Sequence, residues 1–225
     1  MVLSTQIKKV VAGEAGNLVN FDYFDIAEGT GIKNFFAFQS YASGAGSSGI
    51  KYFLTGDNTI YSNKIAEKVQ STGDGIWRDK KNVNYDLEFN LPKIIYGQAR
   101  VSVTQGIKVQ SGTNDIQVIF ELRKVSGGVS TIMASGATVI TEKTASTSSE
   151  TKNVPLDLTS QKWKFKKGDI LRLNTALWEK GGDINSWMGY GSDPQDRDDI
   201  ADTVVVIPAG ETTQLKLQIP FIIDI

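Results

Sequence analysis

The chain has 225 residues, with 22 Gly, 5 Pro and neither His nor Cys. Those two absences remove Ser-His-Asp triads, thiol nucleophiles, imidazole bases, the usual zinc sites and disulfides, so catalysis would fall to carboxylates, Lys, Tyr or an oxygen-ligated metal. Twenty-four Lys and Arg against 25 Asp and Glu leave a net charge of -1 with no long block of one sign, which argues against a nucleic-acid or membrane partner.

Residues 1–30 contain no apolar run of signal-peptide length, and no stretch of the chain approaches the roughly 18 apolar residues of a membrane span. Their pattern is weak until Phe21, Tyr23, Phe24 and Ile26 crowd together before Glu28-Gly29-Thr30-Gly31. This segment reads either as an arm that covers a partner, with Phe21, Tyr23 and Phe24 as contacts, or as an ordinary first strand. Residues 31–225 read as one domain. Gly44 to Gly49 has dinucleotide-loop glycine spacing, but strand-like Ile50-Lys51-Tyr52-Phe53-Leu54 follows instead of a helix, so a hairpin loop is expected. Asn63 to Gln70 is the best helical segment, with Ile65 and Val69 four apart, and is short enough to be a strand instead. Trp77 then reads as a lone aromatic in a charged loop with Arg78, Asp79, Lys80 and Lys81, where partner contact and plain loop packing are equally open.

Alternation with period two decides the fold class. Val101, Val103, Ile107 and Val109 keep one parity; Ile116, Val118, Phe120 and Leu122 do the same, as do Leu215, Leu217, Ile219 and Phe221. Pro220 has no N–H to donate, so an edge or a bulge is expected there. Turn signals recur at short spacing, among them Ser126-Gly127-Gly128 and Lys167-Gly168-Asp169. Residues 141–152, TEKTASTSSETK, have nothing to bury and read as a solvated loop. The chain is therefore expected to be all-β, with about eight strands in a two-sheet antiparallel sandwich.

Two clusters stand out chemically. Asp193, Asp196, Asp198 and Asp199 offer several carboxylate oxygens to one calcium ion, while Arg197 in their midst suits a loop of Asx-type bonds and surface ion pairs instead. Trp178, Trp187 and Tyr190 lie among Gly181, Gly182, Gly189 and Gly191; they suit either a sugar-stacking surface or, for Trp178 in line with Leu171, Leu173 and Leu177, simple core. Asp86, Glu88 and Glu179 are carboxylates of the kind glycoside hydrolysis uses, but nothing in the sequence sets them apart, and no enzyme is expected.

Ala27-Glu28-Gly29-Thr30-Gly31, Lys51-Tyr52-Phe53-Leu54-Thr55 with Thr59-Ile60-Tyr61-Ser62-Asn63, and Phe89-Asn90-Leu91-Pro92-Lys93-Ile94-Ile95-Tyr96-Gly97 together resemble structural proteins encoded by tailed phages and related viruses. Phe120-Glu121-Leu122-Arg123-Lys124, the Lys166-Lys167-Gly168-Asp169 turn, Ser192-Asp193-Pro194 and Ile219-Pro220-Phe221 extend the resemblance over nearly the whole chain from about residue 21. It implies a jelly-roll sandwich on the virion, made in the host cytoplasm. Such a protein would decorate or cement the shell or serve as a minor capsid protein, binding the major capsid protein or other virion proteins as a homo-oligomer, with a trimer favoured. The rival expectation is a receptor- or carbohydrate-binding module of a virion fibre or cell surface. No catalytic residue is implied, and no cofactor apart from the calcium reading.

Overall fold

The computed structural model describes residues 30–41, 50–60, 62, 66–70, 75–144, 146–181, 186–194 and 213–222. These form β1 (Thr30–Tyr41), β2 (Ile50–Thr55), β3 (Ala66–Gln70), β4 (Arg78–Glu88), β5 (Lys93–Ile95), β6 (Gln98–Lys108) and β7 (Thr113–Ser126). They continue as β8 (Val129–Ala137), β9 (Thr141–Thr144), β10 (Thr147–Asp157), β11 (Trp163–Phe165), β12 (Ile170–Gly181), β13 (Trp187–Gly191) and β14 (Leu215–Ile222). The fold is all-β, and the described residues contain no helix. The proposed arm, residues 1–30, lies outside the described residues apart from Thr30.

Pairing is antiparallel except at one point. β4, β12 and β7 lie side by side, with β8 and then β9 along the far side of β7. A second array places β10 on one side of β6, and β14 followed by β13 on the other. β14 continues to β1 and β2, β13 to β3, and β5 joins β14 to β11. A single parallel bridge, Phe53↔Asp86, connects the two arrays.

The alternating runs form these strands because one face of each can be buried. Ile116, Val118, Phe120 and Leu122 are fully enclosed on β7, as are Val101 and Val103 on β6 and Leu217 and Ile219 on β14. Burying each such side chain contributes about 1.5–3 kcal/mol. Several expectations need correction. There are fourteen strands among the described residues, not about eight. Residues 141–144 and 147–157 are strands β9 and β10 rather than a solvated loop. Thr151 and Asn153 pair with polar partners across the ladder, Ser102 Oγ with Asn153 Oδ1 at 2.5 Å and Thr104 with Thr151 at 3.3 Å, while the apolar face of β10 begins only at Val154 and Leu156. The charged loop expected around Trp77 is instead the start of β4, Arg78–Glu88. Of the segment left open between helix and strand, residues 66–70 are strand β3, with 63–65 outside the described residues.

Pro220 sits at no bulge and on an inner strand, but one side of it is a local edge. On one side β14 pairs with β1 from Lys216 to Ile222, including Ile32↔Pro220. On its other side β6 takes Leu215 to Gln218 and β5 takes Phe221 and Ile222, so Pro220 falls in the gap where the neighbour changes. Gly97, at φ 117°, closes over that gap: a Cβ there would lie 3.3 Å from Pro220 Cγ. A residue without an N–H is tolerated where no ladder acceptor waits for it.

Candidate functional site

The ends of the core differ in chemistry. At one end Phe35, Phe221, Phe89 and Phe165 form a chain of edge-on contacts, with centroids 6.3, 6.2 and 5.0 Å apart in turn. The turn at 166–169 seals this end. Phe89 N donates to Asp169 O at 3.0 Å and Gly168 N to Phe89 O at 2.8 Å. The Asp169 carboxylate accepts from Lys166 N at 2.9 Å and Ser126 Oγ at 2.6 Å, with Lys124 Nζ at 3.0 Å. The Lys166 N–H bond first, then the Ser126 hydroxyl, hold its pKa at about 2.

Lys33 also faces this end. It is 8% exposed, on the parity of Phe35 and Ala37, with its ammonium 5.1 Å from the Phe35 ring centroid. Burial, then repulsion from Lys93, bring its pKa down to about 8. A shallow groove of about 340 Å³ opens beside the Asp169 turn, between the β7–β8 hairpin (Lys124, Ser126, Val129, Thr131) and residues 161–164.

The opposite end is polar. Tyr190 and Thr175 share a 2.6 Å hydrogen bond inside the core, and Tyr85, edge-on to Tyr52 at 5.4 Å, is fully buried beside them. Burial pushes both the Tyr85 and Tyr190 phenols well above their ordinary value, so both stay protonated and neutral. Two carboxylates 1% exposed, Glu179 and Glu67, are met by Lys80 at 2.8 Å and Lys81 at 3.2 Å. Consecutive strand residues normally point to opposite faces. The register slips by one residue here, from Leu177↔Lys81 to Trp178↔Asp79, and this bulge at Lys80 lets both lysines turn toward buried acids.

Of the predicted site residues, Asp193 is buried at 1% exposure, while Asp196, Asp198 and Asp199 lie outside the described residues, as do Phe21, Tyr23 and Phe24. Among the described residues no three acidic side chains gather as a metal site would need. Tyr190 is withdrawn from any surface stacking platform, because its hydroxyl needs Thr175 and its ring fills core. Trp187 is half-buried against the core edge, with Lys108 Nζ 5.6 Å from its ring centroid. Trp178 is half-buried too, but on the parity of Arg172 and Asn174, away from Leu171, Leu173 and Leu177. The carboxylates are separated as well: Asp86 makes a two-pronged pair with Arg172, both contacts 2.7 Å, while Glu179 points from the other face of β12.

Sequence reasoning passed over the outer edge of β8. Val129, Ile132, Val139 and Ile140 are 68, 47, 75 and 48% exposed. They occupy the hairpin strand and the connection to β9, and residues 129–141, VSTIMASGATVIT, carry no charged side chain. The signal was present as an uncharged run, but its Ser, Gly and Thr content gives no alternation to mark it.

No family model matches the chain, and no curated protein matches it. Among solved structures it is similar to a CocE/NonD family hydrolase from Staphylococcus aureus, at 10% identity and TM-score 0.42, covering 85% of this chain and 37% of that one. An α-amino acid ester hydrolase gives 10% identity and TM-score 0.40, with 84% and 35% covered. The infectious bursal disease virus VP2 subviral particle gives 8% and 0.20, with 85% and 61% covered. The chain thus spans little more than a third of the hydrolases' length, and likeness this weak supports no argument about function.

Proposed function

We propose that the chain is a structural, non-catalytic protein of a virion: a capsid-associated jelly-roll module, decorating the shell or serving as a minor capsid protein, that adheres to its neighbours by burying apolar surface. In this reading the two antiparallel arrays face one another as the sheets of a sandwich. Close approach of β8 to β10 supports that arrangement, since a Cβ on Gly136 would lie 2.6 Å from Val154 Cγ1 and 3.1 Å from the Pro155 carbonyl oxygen. The observation that carries the adhesion reading is the charge-free β8 border, with its four exposed apolar side chains. A sheet border of that kind is ordinarily blunted with charge or covered, and apolar area removed from water at a contact contributes roughly 25 cal/mol per Å² before the association cost. Repeating the contact around a symmetry axis multiplies it.

Electron microscopy of purified virions tests this. The sandwich is expected at repeated, symmetry-related positions in contact with coat subunits. Particles in which the chain is absent from every such position would overturn the proposal, as would a purified chain that fails to co-sediment with shells lacking it.

A further inference from the structure

We propose that the outer edge of β8 pairs with the same edge of a second copy of this chain, antiparallel, with Thr131 facing Thr131 across a two-fold axis. This deepens the adhesion reading by naming the neighbour, and it rests on that reading.

The hairpin geometry sets which backbone groups are available. Gly127 and Gly128 both have positive φ, 55° and 82°, and form a two-residue turn between Ser126 and Val129. Such a turn makes Ser126 and Val129 an inward hydrogen-bonded pair, and bonding then alternates along the ladder. In the register Val125↔Ser130, Lys124↔Thr131 and Arg123↔Ile132, the N–H and C=O groups of Ser130 and Ile132 therefore point away from β7. Among the described residues no strand pairs on that side. Setting Thr131 opposite Thr131 brings Ser130 of each copy against Ile132 of the other, and four main-chain hydrogen bonds form. The two Thr131 side chains then meet at the closer, non-hydrogen-bonded spacing, and each Val129 falls opposite Met133.

Charge identifies the occupant as a second copy. A strand that pairs with itself sets identical residues near one another, so any charge on it meets its like. The other outer strands carry such charges: Glu67 and Lys68 on β3, Glu142 and Lys143 on β9, Glu150 and Lys152 on β10, and Lys164 on β11. β8 has none. Residues 129–132 are also exposed on both faces, so a second copy reaches them without moving other parts of the chain. The extra residue at Met133, where Leu122 pairs with Ala134 and Arg123 with Ile132, turns the strand and ends the straight edge there. The ladder is consequently short, and the dimer is expected to be weak and concentration-dependent.

Sedimentation velocity of the full chain from micromolar to millimolar concentration tests this, using wild type, Thr131→Lys, Thr131→Glu and Ile132→Pro. Ile132→Pro removes an outward N–H that the hairpin does not use. Wild type is expected to dimerise. Each variant alone should lose at least about tenfold in affinity with its melting temperature kept, and an equimolar mixture of the Lys and Glu variants should recover the dimer. A wild type that stays monomeric, or charged variants that associate as wild type does, would overturn the pairing. So would a Lys and Glu mixture that stays monomeric. Because the purified chain is measured alone, these outcomes are separate from co-sedimentation with shells. A monomer that still binds shells sinks the edge pairing and leaves the structural role standing, and a β8 dimer that binds no shell does the reverse.

Discussion

Replacing Asp169 with Asn probes the knot that closes the aromatic end. The carboxylate holds Lys166 N at 2.9 Å, Ser126 Oγ at 2.6 Å and Lys124 Nζ at 3.0 Å, and so ties the 166–169 turn to β7. An amide keeps one acceptor oxygen but turns N–H donors toward a donor partner, and it removes the charge that assists all three contacts. Hydrogen bonds to a charged group contribute about 1.5–3 kcal/mol each; with one retained and partial access to water, the net loss is about 3 kcal/mol near pH 7. For a chain of this size that is a fall of roughly 6–12 °C in melting temperature. The pH dependence gives a second, independent readout. The folded-state pKa is held at about 2 against an ordinary 3.8, so the stabilisation is fully present above about pH 4 and is lost as pH falls through 2. Guanidinium unfolding of both proteins between pH 7 and pH 3 should therefore show a gap that is constant down to about pH 4 and then narrows. A gap under 1 kcal/mol at pH 7, or one that does not narrow in acid, would refute the reasoning.

Gly189→Ala should be severely destabilising, by more than about 2 kcal/mol in chemical unfolding, because the new Cβ would collide with the Glu67 backbone oxygen of the neighbouring strand. Lys33→Met should stabilise the fold by about 1–2 kcal/mol at pH 7, allowing for water that reaches the ammonium. Since the folded pKa of Lys33 is lowered from 10.5 to about 8, that gain should be whole below pH 8 and fade by pH 10.5 in melts run across this range. Lys80→Met leaves the 1%-exposed Glu179 without this cation and should cost about 3 kcal/mol, much of it restored in the Lys80→Met, Glu179→Leu double variant. Tyr190→Phe should cost about 1 kcal/mol by thermal melting, since Thr175 keeps Val83 O at 3.4 Å as a second partner.

What the sequence made legible follows from how each strand is stabilised. β6, β7 and β14 bury one apolar face, so Val101, Ile116 and Leu217 announce their strands through parity alone. β9 and the first part of β10 carry polar side chains that pair across the ladder, as at Ser102–Asn153, and such pairs leave no apolar rhythm before Val154. The Lys167-Gly168-Asp169 turn was legible from composition. That its carboxylate ties down Ser126, 43 residues earlier, depends on tertiary pairing. Lys33 keeps the parity of Gly31, Phe35 and Ala37, which is a usable hint of an inward lysine, yet its nearness to Lys93 comes only from the fold. The bulge that turns Lys80 and Lys81 the same way has no signature in the residues of β4 themselves.

The position of β14 has a consequence for synthesis. Leu215–Ile222 emerges from the ribosome after every other strand described here, yet it lies between β1 and β6, two strands made much earlier. Until it arrives, β1 and β6 each present an open ladder where β14 belongs, and the array that contains them cannot close stepwise from the first strand onward. Arrival of β14 therefore completes that array by insertion between two strands already made.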